Sequence, residues 1–106
     1  MDKEIYKLHA DICKTLSNPI RLEILNLLRL EELSVSNLIA KTKLSQANIS
    51  QHLSIMKSKG IVDSRREGNQ IYYKIVNKKI VMAFDIMREV LIEKLNRENK
   101  IISKNK

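Results

Sequence analysis

Three side chains in the middle of the chain, Asn48, Gln51 and Ser54, have the chemistry to recognise DNA bases. At about 100° per residue they share one face of a helix. In a major groove, Asn and Gln amides pair bidentately with adenine, and a Ser hydroxyl can serve several bases. No acidic residue lies between Leu33 and Ile61, where it would repel phosphates. The pattern predicts a DNA-recognition helix, and an ordinary surface helix rich in Ser and Gln is the alternative.

The opposite face of the same helix must pack against a core. Its apolar stripe consists of Ile49, Leu53 and Met56. Ser45 is a favourable N-cap residue for this helix. Upstream, residues 35–41 place apolar side chains at helical spacing, and residues 42–44 leave room only for a turn. The two helices and their turn predict a helix-turn-helix over about residues 35–59.

A β-hairpin is predicted directly after the recognition helix. A glycine follows that helix, and two extended runs then flank Gly68-Asn69, both of which tolerate positive φ. The first run carries Arg65 and Arg66. A basic hairpin in this place predicts a winged helix-turn-helix, mainly α with a small β-hairpin, whose wing spans about residues 61–76.

Apolar stripes at both ends of the chain predict terminal helices at about residues 3–16 and 78–99. The stripes comprise Ile5, Leu8, Ile12 and Leu16, and then Ile80, Phe84, Met87, Leu91 and Leu95 with Val81, Val90 and Ile92 beside them. The second stripe is too broad for one neighbour, so we expect dimerisation through the terminal helices. A twofold axis would place two recognition helices about 34 Å apart and favour an inverted-repeat operator. The alternative is a monomer whose last helix crosses its own core.

The net charge of the chain is +8, and the excess of Lys and Arg over Asp and Glu is largest in the segment that forms the helix-turn-helix and wing. Residues 41–74 contain seven Lys/Arg against two Asp/Glu. The expected phosphate contacts are Lys41, Lys43, Lys57, Lys59, Arg65, Arg66 and Lys74. A basic surface would serve RNA as well, so a winged-helix module that binds RNA or a protein partner is the alternative. Tyr72 and Tyr73 alternate on opposite strand faces, which argues against a base-stacking platform.

Length and composition set further limits. With 106 residues, of which 43% are hydrophobic, the chain is expected to form one domain over residues 1–106. It has neither an apolar run of about 20 residues nor a signal peptide, so we expect a cytoplasmic protein without a membrane span. Its two glycines form no phosphate-binding loop and its acidic residues are scattered, so we expect no enzyme.

Four motifs together resemble the ArsR/SmtB family of winged-helix repressors. They are LSNPIRLEIL at 16–25, ELSVSNL at 32–38, SQANISQHL at 45–53 and GIV at 60–62, and the resemblance runs from about Ile12 to about Leu95. The resemblance implies a dimer that binds double-stranded DNA, with Arg21 in the interhelical framework. It implies that nine side chains contact the DNA: Gln46, Asn48, Ser50, Gln51, Ser54, Lys57, Arg65, Arg66 and Asn69.

The chain departs from the family at the positions of the family's metal sites. Metal-sensing members carry paired cysteines in the helix that here includes residues 32–38, and this chain has Ser34 and Ser36 instead. Other members use His on the last helix, yet residues 78–106 contain no His or Cys. A serine hydroxyl does not replace a soft thiolate. We therefore expect no metal and no cofactor, and the inducer stays open.

One further pair, His9 and Cys13, has i, i+4 spacing on the first predicted helix. With its copies in a second subunit, the pair could form a metal or redox site. The other interpretation is a packed histidine and a small buried thiol within the apolar stripe. Beyond the last stripe, residues 96–106 are rich in Lys and Asn, and they either extend the last helix or fray.

Overall fold

The computed structural model of the chain describes residues 2–98. Within that range the chain forms five helices and one three-stranded antiparallel sheet of order β1-β3-β2. The elements are α1 (Lys3–Thr15), α2 (Pro19–Leu27), β1 (Leu33–Ser34), α3 (Val35–Thr42), α4 (Gln46–Ser58), β2 (Val62–Glu67), β3 (Gln70–Ile75) and α5 (Lys79–Arg97). This order confirms the predicted helix-turn-helix followed by a hairpin. Of the predicted C-terminal segment 96–106, the part after residue 98 lies outside the described residues.

Side-chain caps fix where the helices begin. The Asn18 side chain accepts hydrogen bonds from the backbone of Ile20 and Arg21, and Pro19 occupies the first turn, where no N–H is needed. Ser34 and Asn37 form a reciprocal capping box at the start of α3. These caps therefore set the first residues of α2 and α3.

The turn between α3 and α4 sets the angle of the recognition helix α4. Lys43 ends α3 in the left-handed conformation, with a φ of 65°. Two residues later, the Ser45 hydroxyl accepts a hydrogen bond from the Asn48 backbone at 3.1 Å. At the other end of α4, Gly60 has a φ of +73° and donates to the Lys57 carbonyl, which closes a Schellman motif.

The hairpin β2–β3, which we call the wing, turns at Gly68-Asn69. Gly68 has a φ of 61°, whereas Asn69 has no positive φ. A positive φ at the first of the two turn residues alone is the pattern of a type II′ turn. The register pairs Glu67 with Gln70 and Val62 with Ile75.

Strand β1 was not predicted. Leu33 and Ser34 pair with Tyr73 and Tyr72 of β3, so the hairpin becomes a three-stranded sheet. The resemblance had placed residues 32–38 in a helix, but α3 begins only at Val35. A strand of two residues is too short to show the alternation that predicts strands from sequence.

One hydrophobic core lies between the helices and the inner face of the sheet. Its members include the predicted stripe of α4, since Ile49, Leu53 and Met56 are each 0% exposed. The other buried apolar side chains are Leu16, Ile24, Leu25, Leu28, Leu33, Leu38, Ile61, Val62, Ile75 and Val81. The predicted division of α4 into a buried and a polar face is confirmed.

The terminal helices are only partly covered in the single chain. An ion pair of 2.6 Å between Arg29 and Asp85 ties α5 to the end of α2 and holds the pKa of Asp85 below its ordinary value. Large apolar side chains nevertheless stay exposed on both helices: Ile5, Tyr6, Leu8, Met82, Ile86, Met87, Val90 and Leu91. No helix within residues 2–98 is both long and apolar enough to cross a lipid bilayer.

The exposed faces correct one expectation about α1. His9 and Cys13 are both exposed in the chain, so the packed histidine and buried thiol are not found. Residues 2–98 contain no group of three or more His, Cys, Asp or Glu side chains placed to hold a metal ion. Burial of this pair would need a second molecule.

Candidate nucleic-acid interface

The outward face of α4 carries the side chains that were predicted to recognise bases. Gln46, Gln51, Ser54 and Lys57 are exposed, while Asn48 and Ser50 are partly covered. Except for Lys57, none of these side chains takes part in a hydrogen bond among the described residues. The buried face of α4 is therefore fixed to the core, and the polar side chains of the opposite face are available to bind a partner.

A cleft of about 180 Å³ separates the first turns of α4 from the tip of the wing. Three predicted site residues, Gln46, Ser50 and Asn69, line it together. Ser36 and Gln70 line it as well, joined by a hydrogen bond of 3.3 Å in which the Ser36 hydroxyl donates. Sequence reasoning missed this pair, and the polar Gln70 directly after the predicted turn was the available signal.

The wing is coupled to α4 by a side-chain contact. The Lys57 ammonium donates to the Ser64 hydroxyl at 2.7 Å. Ser64 lies on the inner face of β2, between Val62 and Arg66, because alternate residues of a strand share a face. Arg66 therefore projects from the same face of β2 as Ser64, the face that contacts α4 through Lys57.

Arg65 has a different environment from Arg66. Its guanidinium pairs with Glu32 and with Glu67, the latter at 2.8 Å, and lies 4.7 Å from the centroid of the Tyr72 ring. These contacts raise the pKa of Arg65 and lower the pKa of Glu32, because each charge stabilises the other. The structure thus separates two arginines that the sequence grouped together.

The exposed cations of the predicted phosphate set lie around α4 and the wing. Lys41, Lys43, Lys57 and Lys74 are exposed. Lys59 is paired with Asp11 of α1 at 3.1 Å, so part of its charge is compensated within the fold. Lys57 is the exposed cation of α4 itself, and Lys43 lies in the turn before it, so α4 carries positive charge that suits a polyanion.

Arg21 anchors α4 to the N-terminal helices. Its Nε donates to Nδ1 of His52 at 3.1 Å, and its Nη1 donates to the Thr15 carbonyl at 2.9 Å. Arg21 therefore has the interhelical role that the resemblance implied. Partial burial and the adjacent guanidinium lower the pKa of His52, because both disfavour the imidazolium.

We expect the free energy of unfolding to fall as the pH is lowered from 7 to about 5.5. The folded state holds His52 neutral, so the unfolded state binds more protons below the ordinary histidine value of 6.5. The lowered carboxyl pKa values of Glu32 and Asp85 matter only at more acidic pH, below about 4.5. Denaturant unfolding at fixed protein concentration across this range measures the effect.

The matched control for this pH dependence is His52→Gln, which keeps an acceptor for Arg21 and does not titrate. We expect its stability to change less between pH 7 and 5.5 than that of the parent protein. An identical pH profile for the two proteins would rule out His52 as the cause.

An exposed polar helix, seated on a core by its other face and flanked by a basic hairpin, defines a winged helix-turn-helix of the DNA-binding class. Residues 18–64 match the family model described as bacterial regulatory protein, arsR family. The chain belongs to the ArsR family, whose members are regulatory proteins with this DNA-binding fold.

Relatives and solved structures agree with this assignment. The HTH-type transcriptional regulator Rv0081 of Mycobacterium tuberculosis is 37% identical over 93 residues, which are 87% of this chain and 82% of the relative. The transcriptional repressor PagR of Bacillus anthracis is 40% identical over 72 residues, covering 67% of this chain and 72% of PagR. These relatives are named as regulators of transcription rather than as enzymes.

The crystal structure of Rv0081 superposes with a TM-score of 0.79 at 36% identity and covers 89% of this chain and 95% of that one. The solution structure of the homodimeric winged helix-turn-helix domain of Mb0332 from Mycobacterium bovis also gives 0.79, at 32% identity, covering 90% and 88%. The predicted fold class and family are confirmed.

Proposed function

We propose that this protein is a homodimeric repressor that binds an inverted-repeat operator. The observation that carries the proposal is the two-sided nature of α4. Its apolar stripe is fully buried, whereas Gln51 and Ser54 on the other face are exposed and hold no partner within the described residues. Such a helix can enter a major groove without disturbing the fold.

The proposed interface combines base recognition with phosphate contacts. Asn48, Gln51 and Ser54 face base edges, and Lys57 with Arg66 provides charge at the border between α4 and the wing. The remaining proposed contacts line the cleft between α4 and the wing tip: Gln46, Ser50, Asn69 and, as additions from the structure, Ser36 and Gln70. Arg65 is not a member of this set, because its guanidinium is paired with Glu32 and Glu67.

The proposed dimer forms through α1 and α5. Both helices expose large apolar side chains, and a groove of about 380 Å³ between α1, α2 and α5 continues this surface. A continuous surface of exposed apolar side chains is typical of a protein interface. The homodimeric state of the Mb0332 domain supports the same arrangement here.

Repression is proposed because a dimer that covers about one DNA turn on each half-site blocks a promoter that contains its operator. The repressor PagR, at 40% identity, supports this direction of regulation. We propose a cytoplasmic location, no enzymatic activity and no cofactor. A reporter gene fused to the bound promoter tests the direction: deletion of the repressor should raise expression, and lower expression would show activation instead.

We expect Gln51→Ala and Lys57→Ala to weaken DNA binding in different ways. Loss of the Gln51 amide should relax preference at one base position, by about 1–3 kcal/mol, because a bidentate base contact is removed. Loss of Lys57 should weaken all duplexes similarly and reduce the salt slope by about 0.9 per protomer. Titrations on operator and scrambled duplexes at several salt concentrations measure both effects.

The operator for these titrations comes from selection of bound fragments from the source genome. Lys78→Ala, which removes one charge at the start of α5, is the charge-matched control and should retain the parent slope. Equal losses on all sequences for Gln51→Ala would contradict direct base recognition. Enrichment of RNA or of a protein instead of DNA would favour the interaction module over the repressor.

A further inference from the structure

Arg65 lies at the centre of a side-chain network that crosses the outer face of the sheet. Arg65 of β2 pairs with Tyr72 of β3, and Tyr72 pairs with Ser34 of β1. The guanidinium extends along this row over the Tyr72 ring and reaches Glu32, immediately before β1. The Arg65 side chain therefore links β2 to β3 and to the residue that precedes β1.

Carboxylates engage three of the five N–H groups of this guanidinium. Nε donates to both carboxylate oxygens of Glu32, at 3.0 and 3.2 Å, and Nη2 donates to the same carboxylate. Nη1 donates to Glu67 at 2.8 Å. Charge-assisted, bidentate pairing of this kind holds both partners in a fixed geometry. A phosphate could bind the Nε–Nη2 edge of Arg65 in bidentate fashion only after displacing Glu32.

The two faces of the wing also differ in charge. Alternation along β2 puts Asp63, Arg65 and Glu67 on the outer face, opposite the buried Val62. With Glu32 added, three carboxylates lie on this face, of which Glu32 and Glu67 pair with Arg65. Lys74 is the other cation in the same cleft. The inner face carries Arg66 and Ser64, and Ser64 accepts a hydrogen bond from Lys57 of α4. The outer face is thus the acidic side of an otherwise basic wing.

We propose that Arg65 is a positioning residue that braces the wing against the segment before β1, with Glu32 as its anchor, and that Arg66 alone of the two arginines binds phosphate. This inference rests on the proposed DNA-binding function. The brace joins β2 to residue 32 across β3, so it fixes the wing relative to α3, which begins one residue after β1. The brace thereby sets the distance between the wing tip and α4.

The test compares salt slopes of DNA binding in the full chain for Arg65→Gln, Glu32→Gln and Arg66→Gln. Arg66→Gln should reduce the slope by about 0.9 per protomer, because one phosphate contact is lost. Arg65→Gln and Glu32→Gln should each weaken binding by about two- to tenfold with an unchanged slope. The double variant should be no weaker than either single variant, because both break the same brace.

The opposite result has a clear signature. If Arg65 binds phosphate, Arg65→Gln will reduce the slope, and Glu32→Gln will strengthen binding by releasing the arginine; either outcome overturns the inference. Amide hydrogen exchange separates a local effect from a general one, since loss of the brace should speed exchange in β2 and β3 but not in α2 or α4. Failure of the parent protein to bind any duplex would instead refute the proposed function.

Discussion

Replacement of Ile86 by glutamate is expected to convert the protein into monomers and to lower its affinity for the operator by at least about 100-fold. Ile86 is 63% exposed in the single chain, so the charge does not disturb the fold of one subunit. In a twofold dimer the substitution occurs twice, on the proposed contact surface. Linked binding of two half-sites contributes about 10²–10⁴ in affinity, and the monomer loses it.

Sedimentation or light scattering measures the assembly state, and titration of the operator duplex measures the affinity. The matched control is Asn96→Glu, which adds the same charge at an exposed position on another side of α5. This control should stay dimeric and bind normally. A dimeric Ile86→Glu protein, or a monomer with unchanged operator affinity, would contradict the proposed dimer.

Truncation of Leu53 to alanine is expected to lower the free energy of unfolding by about 2–5 kcal/mol, the usual cost of removing a buried leucine side chain. Leu53 is 0% exposed at the centre of α4. Its neighbour Ser54 is exposed, and Ser54→Ala should change stability by no more than about 0.5 kcal/mol. Denaturant unfolding at one protein concentration measures both values.

When DNA binding is measured on folded protein, we expect Ser54→Ala to lose more affinity than Leu53→Ala. Ser54→Ala removes a proposed base contact, whereas Leu53→Ala leaves the outward face intact. Comparable losses of stability for both variants would mean that Ser54 lies beneath the fold. That result would refute the assignment of α4 as the recognition helix.

Local patterns explain why much of the fold could be predicted. The predicted helices have apolar residues at helical spacing, and α1 to α4 also begin at a capping residue; such signals act over a few residues. The two faces of α4 follow from this spacing alone. Neither β1 nor the acidic face of the wing could be predicted in this way.

The contacts that the sequence did not predict join distant residues. Arg65 and Glu32 are 33 positions apart, and Arg21 and His52 are 31 positions apart. Nothing in local composition pairs them, because the sheet and the crossing of α2 with α4 bring them together. His9 and Cys13 are exposed in the single chain for a related reason: an apolar stripe indicates burial but does not say which molecule covers it.

The cap at Ser34 makes this position unfavourable for a metal-binding cysteine. Its hydroxyl accepts from Asn37 at 3.0 Å, and the residue is only 4% exposed. Cysteine at this position would give α3 a weaker acceptor at its start, at a cost of about 1 kcal/mol. A thiolate there would also need compensation for its burial. A cysteine at position 34 would therefore weaken the cap that starts α3, so the same residue does not serve both as a strong helix cap and as a soft metal ligand.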